Sequence, residues 1–277
     1  MNEEKYQVYK SAKNIDEQLD YLHDKKRVQY NDMDRETAGE KLLEYNYVNI
    51  ITPFEYQFAK HNSKKDMIEC NDNYLFERNV EFTEYYNLFL KERSKYHTII
   101  KNIQNFELHF KSITAYYILI TYTINDSDQL NNFLMSLKTK LLSLKKRYNS
   151  NRILHMNKQI DSLTGDIFKY SDICFFFDRM SLGSMLTIFI CLDYRVQNKI
   201  LNDLKKYQWN FNVDKVSDFA EKVFCLVSIR NCVMHCNSLE ILIRFYNSKT
   251  LVLRKSHNKK KYLKMIKVLS KEKAHDI

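Results

Sequence analysis

Apolar residues recur three and four positions apart along most of this chain, the spacing that lines them up on one face of a helix. The first such run is Ile15, Leu19 and Leu22. Asn14 precedes it and Glu17 stands three positions further on, so the pattern predicts a helix opened by a capping box. A second helix is predicted from Asp34 or Arg35, with Ala38, Leu42, Leu43 and Tyr47 on its inner face and Pro53 marking a bend beyond it. Residues 1–60 thus read as an N-terminal helical module.

Long helical patterns follow from about 74 to 124. Phe82, Tyr85, Tyr86, Phe89 and Leu90 keep the spacing, and so do Ile99, Ile103, Phe106, Phe110 and Ile113. Residues 129–160 predict two helices, or one long helix with a loop near Asn149-Ser150-Asn151. Residues 172–205 predict two more around Gly183. A last long helix is predicted from about Val216 through His235, carrying Phe219, Val223, Leu226, Val227, Val233 and Met234. Beyond it, 240–246 and 250–254 alternate as two short strands turning at Asn247-Ser248 would, although continued helix also fits. Residues 255–277 are charged and read as helical or loose. The expected fold is mostly α, divided into 1–60, a helical domain at 61–240 and a basic C-terminal segment at 241–277 with a short β-hairpin.

Composition supports that class. Gly occurs 3 times and Pro once in 277 residues, too few for the turns of a sheet-rich fold. Gly39, Gly165 and Gly183 are isolated, which excludes a glycine-rich phosphate loop. A hydrophobic share of 44% excludes a disordered chain. No apolar run reaches the roughly 18–20 residues of a membrane helix, so no membrane association is expected. The opening Met-Asn-Glu-Glu-Lys has no apolar core of a signal peptide, so a cytoplasmic location is expected. The six cysteines (70, 174, 191, 225, 232 and 236) include no Cys-x-x-Cys pair, and reduced thiols are expected there.

Charge adds a partner. Lys and Arg number 44 against 34 acids, a net +10. Residues 244–277 hold 11 basic and 2 acidic residues, so most of the excess lies there. Residues 129–160 contain no acid at all. A polyanion is the natural partner of such stretches. The residues expected to grip it are Lys138, Lys140, Lys145, Lys146 and Arg147, and in the tail Lys255, Lys259, Lys260, Lys261, Lys264 and Lys267.

Candidate chemistry concentrates in Ser228-Ile229-Arg230-Asn231-Cys232-Val233-Met234-His235. Arg230 is a permanent charge beside the apolar stripe of its helix, so it needs a partner or a wet cleft. Asn231 and His235 are four apart, which stacks them on one helical face and lets the amide fix the imidazole tautomer. Cys225, Cys232, His235 and Cys236 lie near one another, but not at the short loop spacings of zinc ligands. Inert thiols are expected, with no metal and no cofactor.

The segment resembles the Arg-x4-6-His signature of HEPN-domain ribonucleases in its form Arg-Asn-x-x-x-His. A chain of this composition contains that form by chance roughly 0.03 times. More of the chain is similar to the Abi family of abortive-infection phage-resistance proteins, of the AbiD/AbiF type. Asn14-Ile15-Asp16-Glu17-Gln18-Leu19-Asp20-Tyr21-Leu22 resembles its opening helix, and Leu42-Leu43-Glu44-Tyr45-Asn46-Tyr47 its Asn/Tyr-rich helix. Phe106-Glu107-Leu108-His109-Phe110-Lys111-Ser112 resembles its central Glu…Lys helix, and Met180-Ser181-Leu182-Gly183-Ser184-Met185 its Ser-x-Gly turn. Two positions depart from the pattern. Cys236 stands where a second His is common, and Lys25-Lys26-Arg27 replaces an Arg-Gly pair.

The resemblance implies a HEPN-type helical bundle, an RNA partner, a homodimer with one composite cleft, and metal-independent RNA cleavage in phage defence. RNA supplies its own nucleophile, the 2′-OH. His235 suits general acid/base work near neutrality, and the forked, always charged Arg230 suits the phosphorane. Asn231 would orient His235. Glu107 and Lys111 would support the cleft, although an i,i+4 surface pair is an equal reading. The resemblance also admits an inactive member that binds a small noncoding RNA.

Overall fold

A computed structural model of the chain describes residues 13–62, 67, 69–70, 73–74, 76, 78–170, 172–207, 215–247, 252–255 and 259–271. The fold is mostly helical. In chain order the elements are α1 (Ile15–Lys26), β1 (Val28–Gln29), α2 (Arg35–Tyr45), α3 (Tyr47–Ile50), α4 (Glu55–Phe58), β2 (Glu69–Cys70), β3 (Asn73–Tyr74), β4 (Val80–Glu81), α5 (Phe82–Arg93) and α6 (Tyr96–Tyr122). There follow α7 (Ser127–Ser143), α8 (Ser150–Asp166), α9 (Ile173–Arg179), α10 (Leu182–Cys191), α11 (Tyr194–Lys206), α12 (Val216–Met234), α13 (Glu240–Ile243), β5 (Arg244–Asn247), β6 (Val252–Lys255) and α14 (Lys259–Leu269). Short 3-10 turns, Leu144–Lys146 and Ile167–Lys169, follow α7 and α8.

The chain divides into two compact units, Met1–Tyr96 with His235–Lys260, and His97–Met234 with Lys261–Ile277. This differs from the division at 60 and 240 expected from the sequence, for a local reason. Strand β4 pairs in parallel with β1, Val28 opposite Val80, which brings the residues after 60 back to the first helices. Glu92 then accepts from the Leu239 backbone N–H at 2.8 Å and from the Ser238 hydroxyl at 3.0 Å, which draws in the segment after 235. A linear reading of the pattern has no way to see either return.

In the first unit, the capping box of α1 forms as its sequence predicts. The Glu17 N–H donates to Asn14 Oδ1 at 2.8 Å, and the Asn14 N–H donates to Glu17 Oε2 at 2.8 Å. Helix α2 stops at Tyr45 rather than running through Tyr47, because Asn46 takes a left-handed φ of 70° and caps the short α3 through its side chain. Leu19, Leu22, Val28, Leu42, Ile50, Phe54, Val80, Phe82, Tyr85 and Phe89 make the core. Lys26 and Glu55 are buried beside it as an ion pair. The expected C-terminal hairpin is present as antiparallel β5 and β6, Phe245 opposite Arg254. Its first strand starts later than expected, since residues 240–243 form α13.

In the second unit, α10 is apolar on all sides, and from Met185 to Cys191 every residue is buried. It packs against α7, α8 and α12, while α11 packs on α12. Phe106 and Phe110 of α6 meet Phe189 of α10 and Phe219 of α12 in one aromatic cluster. Residues 129–160 form two helices, α8 being capped by Asn149, whose Oδ1 accepts from the Arg152 N–H at 2.8 Å. The stretch 172–205 holds three helices rather than two. Gly183 is not the break between them but lies in the first turn of α10, where an added Cβ would stand 3.0 Å from Gln159 Nε2 of α8. The missed helix boundary is Asp193, where α10 ends and α11 begins.

Candidate functional site

Helix α12 is built around an inner stripe of Phe219, Val223, Leu226, Ile229 and Val233, all buried. Arg230 follows Ile229 and so emerges at the edge of that stripe, with 39% of its side chain exposed. The neighbouring α6 brings Glu107 to the same edge, one residue past buried Phe106. Glu107 Oε2 lies 3.4 Å from Arg230 Nε, and Oε1 lies 2.9 Å from Lys111 Nζ. Lys111 also donates to the backbone carbonyl of Asp178 in α9 at 3.2 Å. The Glu107–Lys111 pair of α6, its carboxylate only 12% exposed, therefore touches both α12 and α9.

The electrostatics follow directly. Two cations share one anion, so the cluster keeps a net positive charge at a half-open edge. Nε of Arg230 is engaged by Glu107, and of its terminal nitrogens only Nη1 has a partner among the described residues, at long range, so both keep hydrogens to offer a further anion. Asn231 is exposed, with its Oδ1 3.5 Å from Arg230 Nη1, a long contact. The helix stops at Met234, one residue short of the expected His235, and Cys236 adopts a left-handed φ of 56°. The i,i+4 stacking of Asn231 under His235 expected within one helix therefore lacks its last helical residue. His235 is exposed. Neither it nor Arg230 is sealed in a core.

Two of the sequence expectations thus meet in space, the Arg230 motif and the Glu107–Lys111 pair. Their meeting was missed because each was read on its own helix. The available signal was a shared one. Glu107 stands between apolar Phe106 and Leu108 just as Arg230 stands beside Ile229, and two charges bordering apolar stripes are complementary candidates.

The basic residues sort into two groups. Lys138 pairs with Asp161. Lys140 pairs with Asp193 at 2.8 Å, and Asp193 also accepts from the Tyr122 hydroxyl at 2.9 Å. Arg152 reaches Glu221 at 2.5 Å, and its guanidinium lies 4.1 Å from the centre of the Phe224 ring. The acid-free stretch is thus neutralised in part by acids from outside it. Lys145, Lys146 and Arg147 are exposed on and just after the first 3-10 turn. In the tail, Lys255 lies in β6 with its side chain outside the described residues, and Lys259 is half-buried. Lys260, Lys261 and Lys264 are exposed on α14, with Lys261 lying 3.8 Å from Glu221.

The thiols are of two kinds. Burial pushes Cys191 up to about 12 and raises Cys225 as well, so both stay protonated near neutrality. Cys174 and Cys236 are exposed and free. No group of three His, Cys, Asp or Glu suited to a metal occurs among the described residues. No single described helix is long and apolar enough to cross a membrane. No protein family, no curated protein and no solved structure matches the chain.

Proposed function

We propose that this protein is a metal-independent endoribonuclease of an abortive-infection phage-defence system, acting in the cytoplasm as a HEPN-type homodimer. The observation that carries the reading is the half-exposed Arg230 held through Nε by Glu107, five residues before an exposed His235. In the reaction the 2′-oxygen attacks the adjacent phosphorus and the bond to the 5′-oxygen breaks, leaving a 2′,3′-cyclic phosphate. Neutral His235 takes the 2′-OH proton, and an imidazolium from the second copy returns a proton to the 5′-oxygen. The terminal nitrogens of Arg230 offset the extra charge on the phosphorane. A single motif histidine per chain cannot serve both proton transfers at once, and a dimer supplies the second.

The test is cleavage of cellular RNA by the purified protein in EDTA, beside His235→Ala and Arg230→Ala. Wild-type cleavage yielding cyclic phosphate ends, and its loss in both variants, is the expected result. Cleavage retained in both variants removes the assignment. The second reading, a non-enzymatic protein that holds a small noncoding RNA, is favoured by the engagement of Arg230 in a standing ion pair. It gains if the wild type cleaves nothing yet co-purifies with RNA.

A further inference from the structure

Helix α14 carries Lys260, Lys264, Lys267 and Lys271 at intervals of four, three and four residues. That spacing places all four on one helical face, in a single column. All four are exposed, and none has an ion pair among the described residues. The opposite face holds Met265 and Leu269, both buried. The chain turns on past Leu269, with the Ser270 N–H donating to the Ile266 carbonyl at 2.9 Å and the Lys271 N–H to the Val268 carbonyl at 3.4 Å, a tightened last turn that carries Lys271.

The column is fixed rather than loose. The buried side chain of Asn102, on α6, donates from Nδ2 to the Leu269 carbonyl at 2.7 Å and to the Lys271 carbonyl at 3.1 Å. The Leu269 carbonyl is one of those that a helix leaves unpaired at its end. The same end is the negative pole of the helix dipole, which favours lysines there. Lys261 points elsewhere, towards Glu221, and so stands outside the column.

We propose that this column is a rail for the phosphate backbone of a single RNA strand. The proposal rests on the RNA reading above and deepens it, replacing a diffuse basic tail by four named residues, of which Lys271 was not anticipated from composition. Along a helix axis the four lysines rise by about 6, 4.5 and 6 Å in turn. A single column of cations fits one backbone, whereas a duplex presents two. Leu263 and Val268, 43% and 45% exposed, flank the column and offer apolar surface to bases turned aside from the backbone. A membrane surface is the weaker fit, because the apolar face of α14 that would enter lipid is already buried against the protein.

The experiment measures the affinity of the full-length protein for a labelled, uncleavable 2′-O-methyl oligouridine across a salt series. The rail variant is Lys260→Gln, Lys264→Gln, Lys267→Gln and Lys271→Gln together. The control removes four ion-paired charges elsewhere, as Lys41→Gln, Arg78→Gln, Lys169→Gln and Lys206→Gln. Circular dichroism confirms that both fold. The slope of log affinity against log salt is expected to fall by about 2.8 in the rail variant, the share of four single-strand phosphates, and to hold in the control. An unchanged slope in the rail variant, or an equal fall in the control, overturns the rail. So does a rail variant that keeps its RNA affinity while losing binding to phosphatidylserine vesicles. Absence of cleavage by the wild type beside a rail-dependent slope sinks the nuclease reading and leaves the rail standing.

Discussion

Glu107 holds the Nε edge of Arg230 at 3.4 Å while its other oxygen holds Lys111 at 2.9 Å. Nε of the guanidinium is thereby engaged, while its terminal nitrogens keep hydrogens for a further anion. If Arg230 stabilises a phosphorane, Glu107→Gln should lower kcat by up to about 100-fold through misplacement, with KM little changed. Adding Glu107→Gln to Arg230→Ala should then cost nothing further, since neighbours that act as a unit are not additive. Single-turnover cleavage of the four proteins measures this, and a full additional loss in the double variant would count against a joint role. Glu107→Ala should also cost about 1–3 kcal/mol of stability, because it leaves the mostly buried Lys111 ammonium short of its acceptor.

Gly183 permits the close approach of α10 to α8. A Cβ there would meet the far end of the Gln159 side chain, which also accepts from the Thr187 hydroxyl at 2.5 Å. Gly183→Ala sets a helix-propensity gain of about 1 kcal/mol against a small shift of a flexible amide, so it should be close to neutral. Gly183→Leu cannot be met that way and should cost about 1–3 kcal/mol by overpacking. Urea unfolding of both variants distinguishes them. Equal large losses would mean that the backbone, rather than Gln159, sets the limit.

The helices were legible wherever a cap and a periodic stripe agreed. Asn14 with Glu17, and Asp34 before α2, both mark real helix starts. The errors fell where backbone conformation overrode the pattern. Asn46, in the left-handed region, follows the end of a helix whose apolar spacing runs on to Tyr47, and Cys236, likewise left-handed, follows a helix that stops one residue short of its predicted end. The site was half legible. Arg230 announced itself as a charge beside an apolar stripe, and Glu107 with Lys111 as a helical pair. Their joining depends on how α6 packs against α12, which local spacing does not encode. Three lysines of the α14 column were legible in the basic tail, but Lys271 joins them only once Asn102 holds the end of the helix.

Thiol reactivity should follow burial. Cys191 and Cys225 are held protonated by burial, with Cys191 pushed up to about 12. Cys236 is exposed. Iodoacetamide near pH 8 should therefore modify Cys236 in the native protein long before Cys191 or Cys225, and the order should disappear in urea. Mass spectrometry of the native digest reads the order directly. Early labelling of Cys191 would mean that α10 opens readily.

The two groups of basic residues should separate by what they change. Lys140 and the Tyr122 hydroxyl hold the Asp193 carboxyl below its ordinary value of 3.8. A carboxyl lowered in the folded state contributes stability above its unfolded value, and loses it as pH falls through the folded value. The contribution should thus be complete at neutral pH and fade below about pH 4. It is small, within about 1 kcal/mol, because both partners are substantially exposed. Lys140→Gln should remove it, lowering neutral stability slightly and flattening the acid limb of the stability curve. Because Lys140 already has its anion, the same variant should change RNA affinity little, whereas Lys145→Gln, Lys146→Gln and Arg147→Gln together should weaken binding and reduce its salt slope. Thermal unfolding across pH, set beside oligonucleotide titration, gives both readouts. A large affinity loss in Lys140→Gln would mean that RNA displaces Asp193 from its lysine, and that the pair is a competitor for the phosphate.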